Sequence, residues 1–545
     1  MKEKRVMAFK SYTVPLPNKN ISYKKGPGDI RYVYLSTRHY RNKNGVPTHE
    51  EVSIGKLNNK DPLTMFPNQN YFKHFPWTYE AFDEILPSKI KMAGITAFLY
   101  HRSKKIGLEE CMEKIFPHHY KQILQCAFYI LARGGVMMYM DDFYQKHESA
   151  YRNCLSHKDL GELYEELTKE NRWEFFSVWK EYASKPGEYA AYDVTSISTE
   201  AKEVSLAEYG YNRDGEELPQ INVGTVYSQI SRLPICYELY YGSIADKSHL
   251  QSMMCITQQI GLFITLYVMD RGFITKDNLK DLARLGINFL LGAPSHQEVY
   301  RKFLLEKSPL IRDPANFLLG LGVYGSEGDV TVESDTYKAF AYYSSSKAAQ
   351  DETALYEQIK RRGEELENQK GKQTRKKQDP YYDVQMQQGK VISYEKNEEK
   401  IKEKLSLCGM FSLLCNVKEL TKEEALMHYR RRNGIEKLYD GMKNPLELYR
   451  LRTHTDTSAE GKFFLGFIAQ ILWADMIRVM HDQVKKTAPT VKAVLNELEK
   501  IQKVSYAMGD QLLSPLSKKQ KDILSAFDID PEQFKIWILK KQGSL

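Results

Sequence analysis

Apolar and polar positions along the chain change period several times, and each change marks a candidate domain. Near the N-terminus the period is two. Tyr32, Tyr34 and Ser36 alternate with Val33 and Leu35, and Asn44-Gly45 offers a hairpin turn before a second strand-like run at 50–54. From 78 to about 185 apolar residues recur at helical spacing, in segments such as 120–132 and 161–184, the latter bearing Phe175, Phe176, Trp179 and Tyr182. Between 189 and 291 the pattern is mixed. Strand-like runs at 189–197, 221–228 and 234–244 are separated by short loops, which predicts three antiparallel strands. A helix at 247–259, a buried strand at 262–269, a helix at 276–285 ended by Gly286, and a strand at 287–291 follow.

From 296 to 417 the character shifts again. Residues 351–378 hold 14 charged residues of 28, including Lys360-Arg361-Arg362 and Arg375-Lys376-Lys377, a composition of solvated helix or disorder. The strand-like run 410–417 then leads directly into a further helix, so 296–417 reads as an insertion within an α/β unit. The last hundred residues read as helical, at 458–484, 490–501 and 518–527. The expected fold class is therefore α/β. A small β module (1–77) and a helical domain (78–186) precede a mixed-sheet core in two parts (187–295 and 418–484), split by the insertion (296–417) and followed by a helical region (485–545).

Composition narrows the class. A chain of 545 residues with 42% hydrophobic and 27% charged residues can form two to four globular domains. Its most apolar stretch, 463–480, is interrupted by Gln470, Asp475 and Arg478, as suits a buried core helix rather than a membrane span. The opening MKEKRVMAFK is basic without an apolar segment behind it, which predicts a cytosolic protein. Seven cysteines with no C-x-x-C pair give neither a disulfide framework nor a zinc site. The net charge of +8 is concentrated: residues 1–60 carry 13 Lys and Arg against 4 Asp and Glu. A basic, tyrosine-bearing β module is a reasonable nucleic-acid footprint.

The candidate chemistry lies on one helix face and two strands. A helix is bounded by the capping-box pair Thr421 and Glu424 and by Asn444-Pro445. On it, Tyr429, Arg432, Glu436 and Lys443 fall within roughly 60° of one another, while Ile435, Leu438 and Met442 project on the opposite side. Gly434 breaks the pattern unless something approaches the backbone there. Asp193 lies inside the strand-like AAYDVTSIS, and Asp270 follows the apolar run LFITLYVM at the carboxyl end of a buried strand, where open α/β sheets place their ligand sites. Together with Glu436 they make a three-carboxylate set. Such hard oxygen donors suit Mg²⁺ or Mn²⁺, and two such ions can drive an in-line phosphoryl transfer.

The order Asp, Asp, Glu on strand, strand and helix resembles the DDE transposases of bacterial insertion sequences. One group of these carries the helix signature Y-x-x-R-x-x-x-E-x-x-x-x-x-x-K, which Tyr429, Arg432, Glu436 and Lys443 match. The segments YDVTSIS (192–198), GYNRDG (210–215), QINVG (220–224), YGSIAD (241–246) and VMDRGFIT (268–275) look like the same group, and the likeness spans about 30–475. One departure is that Gly461-Lys462 stands where related chains often have Gly-His.

The resemblance implies an RNase H-like core with a β-rich insertion before the glutamate helix. It implies that Asp193, Asp270 and Glu436 hold two Mg²⁺ or Mn²⁺ ions, that Tyr429, Arg432 and Lys443 contact phosphates of the transposon end, and that Arg271 is a DNA contact. The implied activity is cleavage at the inverted-repeat ends and joining of the 3′ hydroxyls to target DNA, by a homodimer on DNA in the bacterial cytoplasm. An RNase H-like nuclease that cuts without joining, and a domesticated DNA-binding protein with a silent site, are the alternatives.

Overall fold

The computed structural model describes residues 13–18, 20–41, 45–75, 87–149, 151, 155–373, 379–483, 488–506 and 511–540. The expected turn residue Asn44 and the charged run Arg375-Lys376-Lys377 lie outside them. The chain folds as two units, one of residues 1–98, 142–149 and 493–545, the other of residues 99–141 and 150–492.

In the first unit the period-two pattern forms the long antiparallel pair Arg31–Arg41 and Pro47–Leu57, within a five-stranded sheet. Val33, Leu35 and Ile54 point inward against Val14 and Met65, while Arg38, Tyr40 and Arg41 stay exposed. The C-terminal residues are not purely helical. Gln502–Tyr506 and Gln511–Leu513 form a three-stranded sheet with Pro87–Met92. The signal was masked because Lys503 takes an inward position, 4% exposed, with Glu148 3.8 Å from its ammonium. A buried lysine breaks the apolar alternation by which a strand is recognised.

The second unit is built on a nine-stranded sheet. Tyr189–Ser198, Gln220–Ser228 and Pro234–Tyr241 form an antiparallel meander at one edge. Leu266–Met269 then pairs in parallel with Tyr189–Ser198, and Phe289–Ala293 in parallel with Leu266–Met269. The helices Asp246–Gln259 and Lys276–Arg284 make the crossovers that parallel neighbours require. The fold is mixed α/β, as expected from the pattern.

The stretch 296–417 does not stand wholly outside this sheet. Val323–Val332 and Asp335–Tyr343 form a hairpin whose second strand pairs with Met410–Cys415, and that strand pairs in turn with Phe289–Ala293. The hairpin is thus part of the core layer, with Val323, Phe340, Tyr342 and Leu413 in one apolar cluster with Val268 and Leu290. What protrudes is 345–407. The 25-residue helix Ser345–Gln369, the hairpin Tyr382–Gln387 with Lys390–Lys396, and the helix Glu398–Leu407 close over a small core of Leu355, Ile359, Leu366, Tyr382 and Ile401.

Two helical expectations are refined. The segment 161–184 is two helices, His157–Glu166 and Lys169–Ala183, because Thr168 accepts the amide of Asn171 and restarts the helix as its N-cap. The apolar run near 463–480 lies in the helix Asp456–Gln483, long and apolar enough to cross a membrane by composition, yet 83% of that window is buried in the protein. Its polar interruptions are satisfied there. Gln470 donates to the Leu438 carbonyl, and Asp475, fully buried, accepts from Arg102 in two bonds of 2.8 and 2.9 Å and from Arg478.

Candidate functional site

The strand register brings the two aspartates side by side. Val268 pairs with Ala191, a separation of 77 residues, and Asp270 lies the same 77 residues beyond Asp193. Asp270 therefore leaves the end of its strand level with Asp193 on the neighbour, its backbone still extended before the turn Arg271–Phe273. Asp193 sits mid-strand, its carboxylate taking the amide of Val194 at 2.8 Å and its own carbonyl taking the Tyr439 hydroxyl at 2.7 Å.

The helix opposite them forms for the reasons read from its sequence. Thr421 and Glu424 make the capping box, and Ile435, Leu438 and Met442 are buried. It runs as Lys422–Arg431 and Asn433–Lys443, interrupted only at Arg432, whose backbone remains helical (φ −53°, ψ −31°). The face therefore keeps its register. Gly434 is explained by close approach: a Cβ there would lie 2.7 Å from the Tyr227 ring. Gly292, on the strand next to that of Asp270, likewise leaves room for the Tyr429 hydroxyl.

Asp193, Asp270, Arg432 and Glu436 line one cavity of about 310 Å³. Arg432 lies among the three carboxylates, 2.6 Å from Glu436, 3.7 Å from Asp193 and 3.9 Å from Asp270. Tyr429 donates to Asp270 at 3.2 Å. Burial pushes the Asp193 carboxyl up to about 6, against the Val194 amide and Arg432, which favour its charge. Burial, then the charge of Asp270, pushes the Tyr429 phenol up to about 12, so it stays a proton donor at neutral pH.

Among the described residues no group of three His, Cys, Asp or Glu side chains is already gathered as a metal cage. Arg432 lies between the carboxylates instead, 2.6 to 3.9 Å from each. Their chemistry nevertheless fits a hard divalent cation: the donors are all carboxylate oxygens, and the buried Asp193 has its charge only partly compensated by protein groups.

Other sequence candidates fall outside the cavity lining. Lys443 pairs with Asp214 at 2.6 Å, and Arg271 is exposed beside Asp270, with no ion pair among the described residues. Lys462 is buried, donates to the Leu451 carbonyl, and is pushed down to about 8 by burial and Arg452. Three cavity residues escaped the sequence reading: Arg213, Asp246 and Tyr439. Arg213 pairs with Asp246, which also accepts from the Tyr240 hydroxyl at 3.1 Å. The signal existed, for Arg213 and Asp214 lie in GYNRDG and Asp246 ends YGSIAD, but nothing in sequence joins residues 33 apart into an ion pair.

Comparison with known proteins finds a family match. Residues 185–472 match the family described as "Transposase DDE domain", so the chain belongs to that family. The match runs from just before the first core strand, through the glutamate helix, into the long buried helix. No curated protein matches the chain. Among solved structures, a piggyBac transposase synaptic complex with hairpin DNA is 9% identical, covering 83% of this chain and 73% of that one, with a TM-score of 0.34. A Drosophila P element transposase strand transfer complex is 10% identical, covering 81% and 99%, with a TM-score of 0.19. Likeness of that degree bears on neither fold nor chemistry.

Proposed function

We propose that the protein is the transposase of a bacterial insertion sequence, binding the inverted-repeat ends of its element, cutting there and joining the 3′ hydroxyls to target DNA. The observation that carries this is the convergence of Asp193 and Asp270, level on parallel strands, with Glu436 of the facing helix in one cavity. The strand order supports an RNase H-like core, with three antiparallel strands followed by two parallel ones and the glutamate helix packed beside them. The Tyr429, Arg432, Glu436 and Lys443 signature supports the insertion-sequence group.

Asp193, Asp270 and Glu436 would hold Mg²⁺ or Mn²⁺, two ions per site, which supply Lewis-acid activation of the attacking oxygen and charge stabilisation at the leaving oxygen. The chain's own groups set up that chemistry. Tyr439 fixes the Asp193 backbone, and Tyr429 orients Asp270. Arg432 holds the carboxylates together by compensating their charge, and its guanidinium can turn to a scissile-strand phosphate. Arg271 and Lys443 contact the DNA backbone and set its register; the N-terminal sheet, with Arg38 and Arg41 exposed, is a separate DNA-contacting surface. Two ends must be processed together, so the working form is a homodimer on DNA.

The test uses duplexes carrying the repeats that border the gene, with Mg²⁺. Wild-type protein nicks at the repeat boundary and joins the cut end to plasmid DNA, and Asp270→Asn binds the same duplex without nicking it. Nicking by Asp270→Asn at the wild-type rate would refute the assignment. Nicking by wild type without joining would make the protein a nuclease.

A further inference from the structure

The helix that carries Glu436 has a second cavity on another side. This cleft, about 470 Å³, is lined by Arg232, Arg430, Arg431, Lys437 and Arg478 around Trp473, and no Asp or Glu lines it. Arg431 and Lys437 are exposed and have no acidic partner among the described residues. Arg430 spends one donor on the Leu321 carbonyl. Arg478 does contact Asp475, but that fully buried carboxylate is already gripped by Arg102, so the three groups together keep a net positive charge. On the helix wheel Lys437 stands roughly 100° from Glu436, enough to put the two on different walls.

The exposed Arg431 and Lys437, with Arg430, bring positive charge from one helix to the same wall as Arg232 and Arg478, so the cleft draws its cations from three separate segments. A concave wall lined by cations from three segments suits several phosphates of a nucleic-acid backbone more than one small anion. We infer that this cleft holds a second stretch of DNA backbone, distinct from the strand presented to Asp193, Asp270 and Glu436. This rests on the DNA-processing function proposed above. The shared chemistry is the phosphodiester backbone, and its source is either the DNA flanking the element or the target.

The test is DNA affinity against salt for full-length wild type and for the double variant Arg431→Ala/Lys437→Ala, with a charge-preserving Arg431→Lys/Lys437→Arg control. Three duplexes are used: the element end alone, the end with its flank, and an unrelated sequence standing for target. For the alanine variant the slope of log K against log salt should fall by about 2 on one of the longer duplexes, with affinity down about tenfold or more at physiological salt. The end alone should be unaffected, and the charge-preserving control should keep the wild-type slope. Loss on the flanked end identifies the flank, and loss on the unrelated duplex identifies the target. Unchanged slopes on all three overturn the inference, as does equal loss on the end alone. Wild-type nicking is scored separately: its absence defeats the proposed function, whereas the slopes report on the cleft in either case.

Discussion

The two sides of one helix make opposite electrostatic choices. Toward Asp193 and Asp270 it presents Glu436, and a single cation, Arg432, sits among three carboxylates. Toward the cleft at Trp473 it presents Arg431 and Lys437, with no carboxylate on the lining. The first side has a surplus of negative charge that invites a cation; the second has a surplus of positive charge that invites a polyanion. Both draw on the same short stretch of backbone, 431–437, where the two helical segments meet.

Removing a carboxylate should have the largest effect. Glu436→Gln keeps size and helix propensity, so DNA binding should persist while Mg²⁺-dependent nicking falls about a thousandfold or more, on the order of 4 kcal/mol. Loss of binding and nicking in equal proportion would instead make Glu436 a structural group.

Arg432→Met tests the charge surplus itself. With the guanidinium gone the carboxylates repel, and stability in EDTA should fall by about 1–3 kcal/mol, discounted because Glu436 is half exposed. Millimolar Mg²⁺ should return more stability to this variant than to wild type, measured by urea unfolding. An equal response of the two would mean the carboxylates do not share a cation.

Gly434→Val probes the shared wall. The added side chain meets the Tyr227 ring, costing about 1–3 kcal/mol by overpacking. Pairing it with Tyr227→Ala should recover part of that cost in a double-mutant cycle, and strictly additive effects would mean the contact is not the cause. Smallest is Lys443→Ala, which removes a partly exposed pair with Asp214 and should change stability by no more than about 1 kcal/mol. If Lys443 contacts DNA, its alanine variant should still lower the salt slope by about 1.

The acidic side was far more legible in the sequence than the basic one. Asp193 stood out because strands disfavour aspartate, Asp270 because it ends an apolar run, and Glu436 because helical spacing sets it between cations. Nothing in the sequence singles out Arg431 and Lys437, since Arg232 and Arg478 join them only through the fold. The same limit applies to architecture. The meander and the helix-linked strands at 189–293 are local and were readable, whereas Asp335–Tyr343 pairs with Met410–Cys415 across about 70 residues, so its membership of the core sheet was hidden. Lys503 concealed its strand for a simpler reason, a charged side chain in an inward position.

The central claim is that the acidic side holds a divalent cation and the basic side does not. Titration of Mn²⁺ by calorimetry, without DNA, tests it on wild type, Asp193→Asn, Asp270→Asn and Arg431→Ala/Lys437→Ala. The account predicts saturable binding by wild type and by the basic-side variant, with affinity at least about tenfold lower in either aspartate variant. Equal Mn²⁺ binding by all four proteins, or none by wild type, would contradict it.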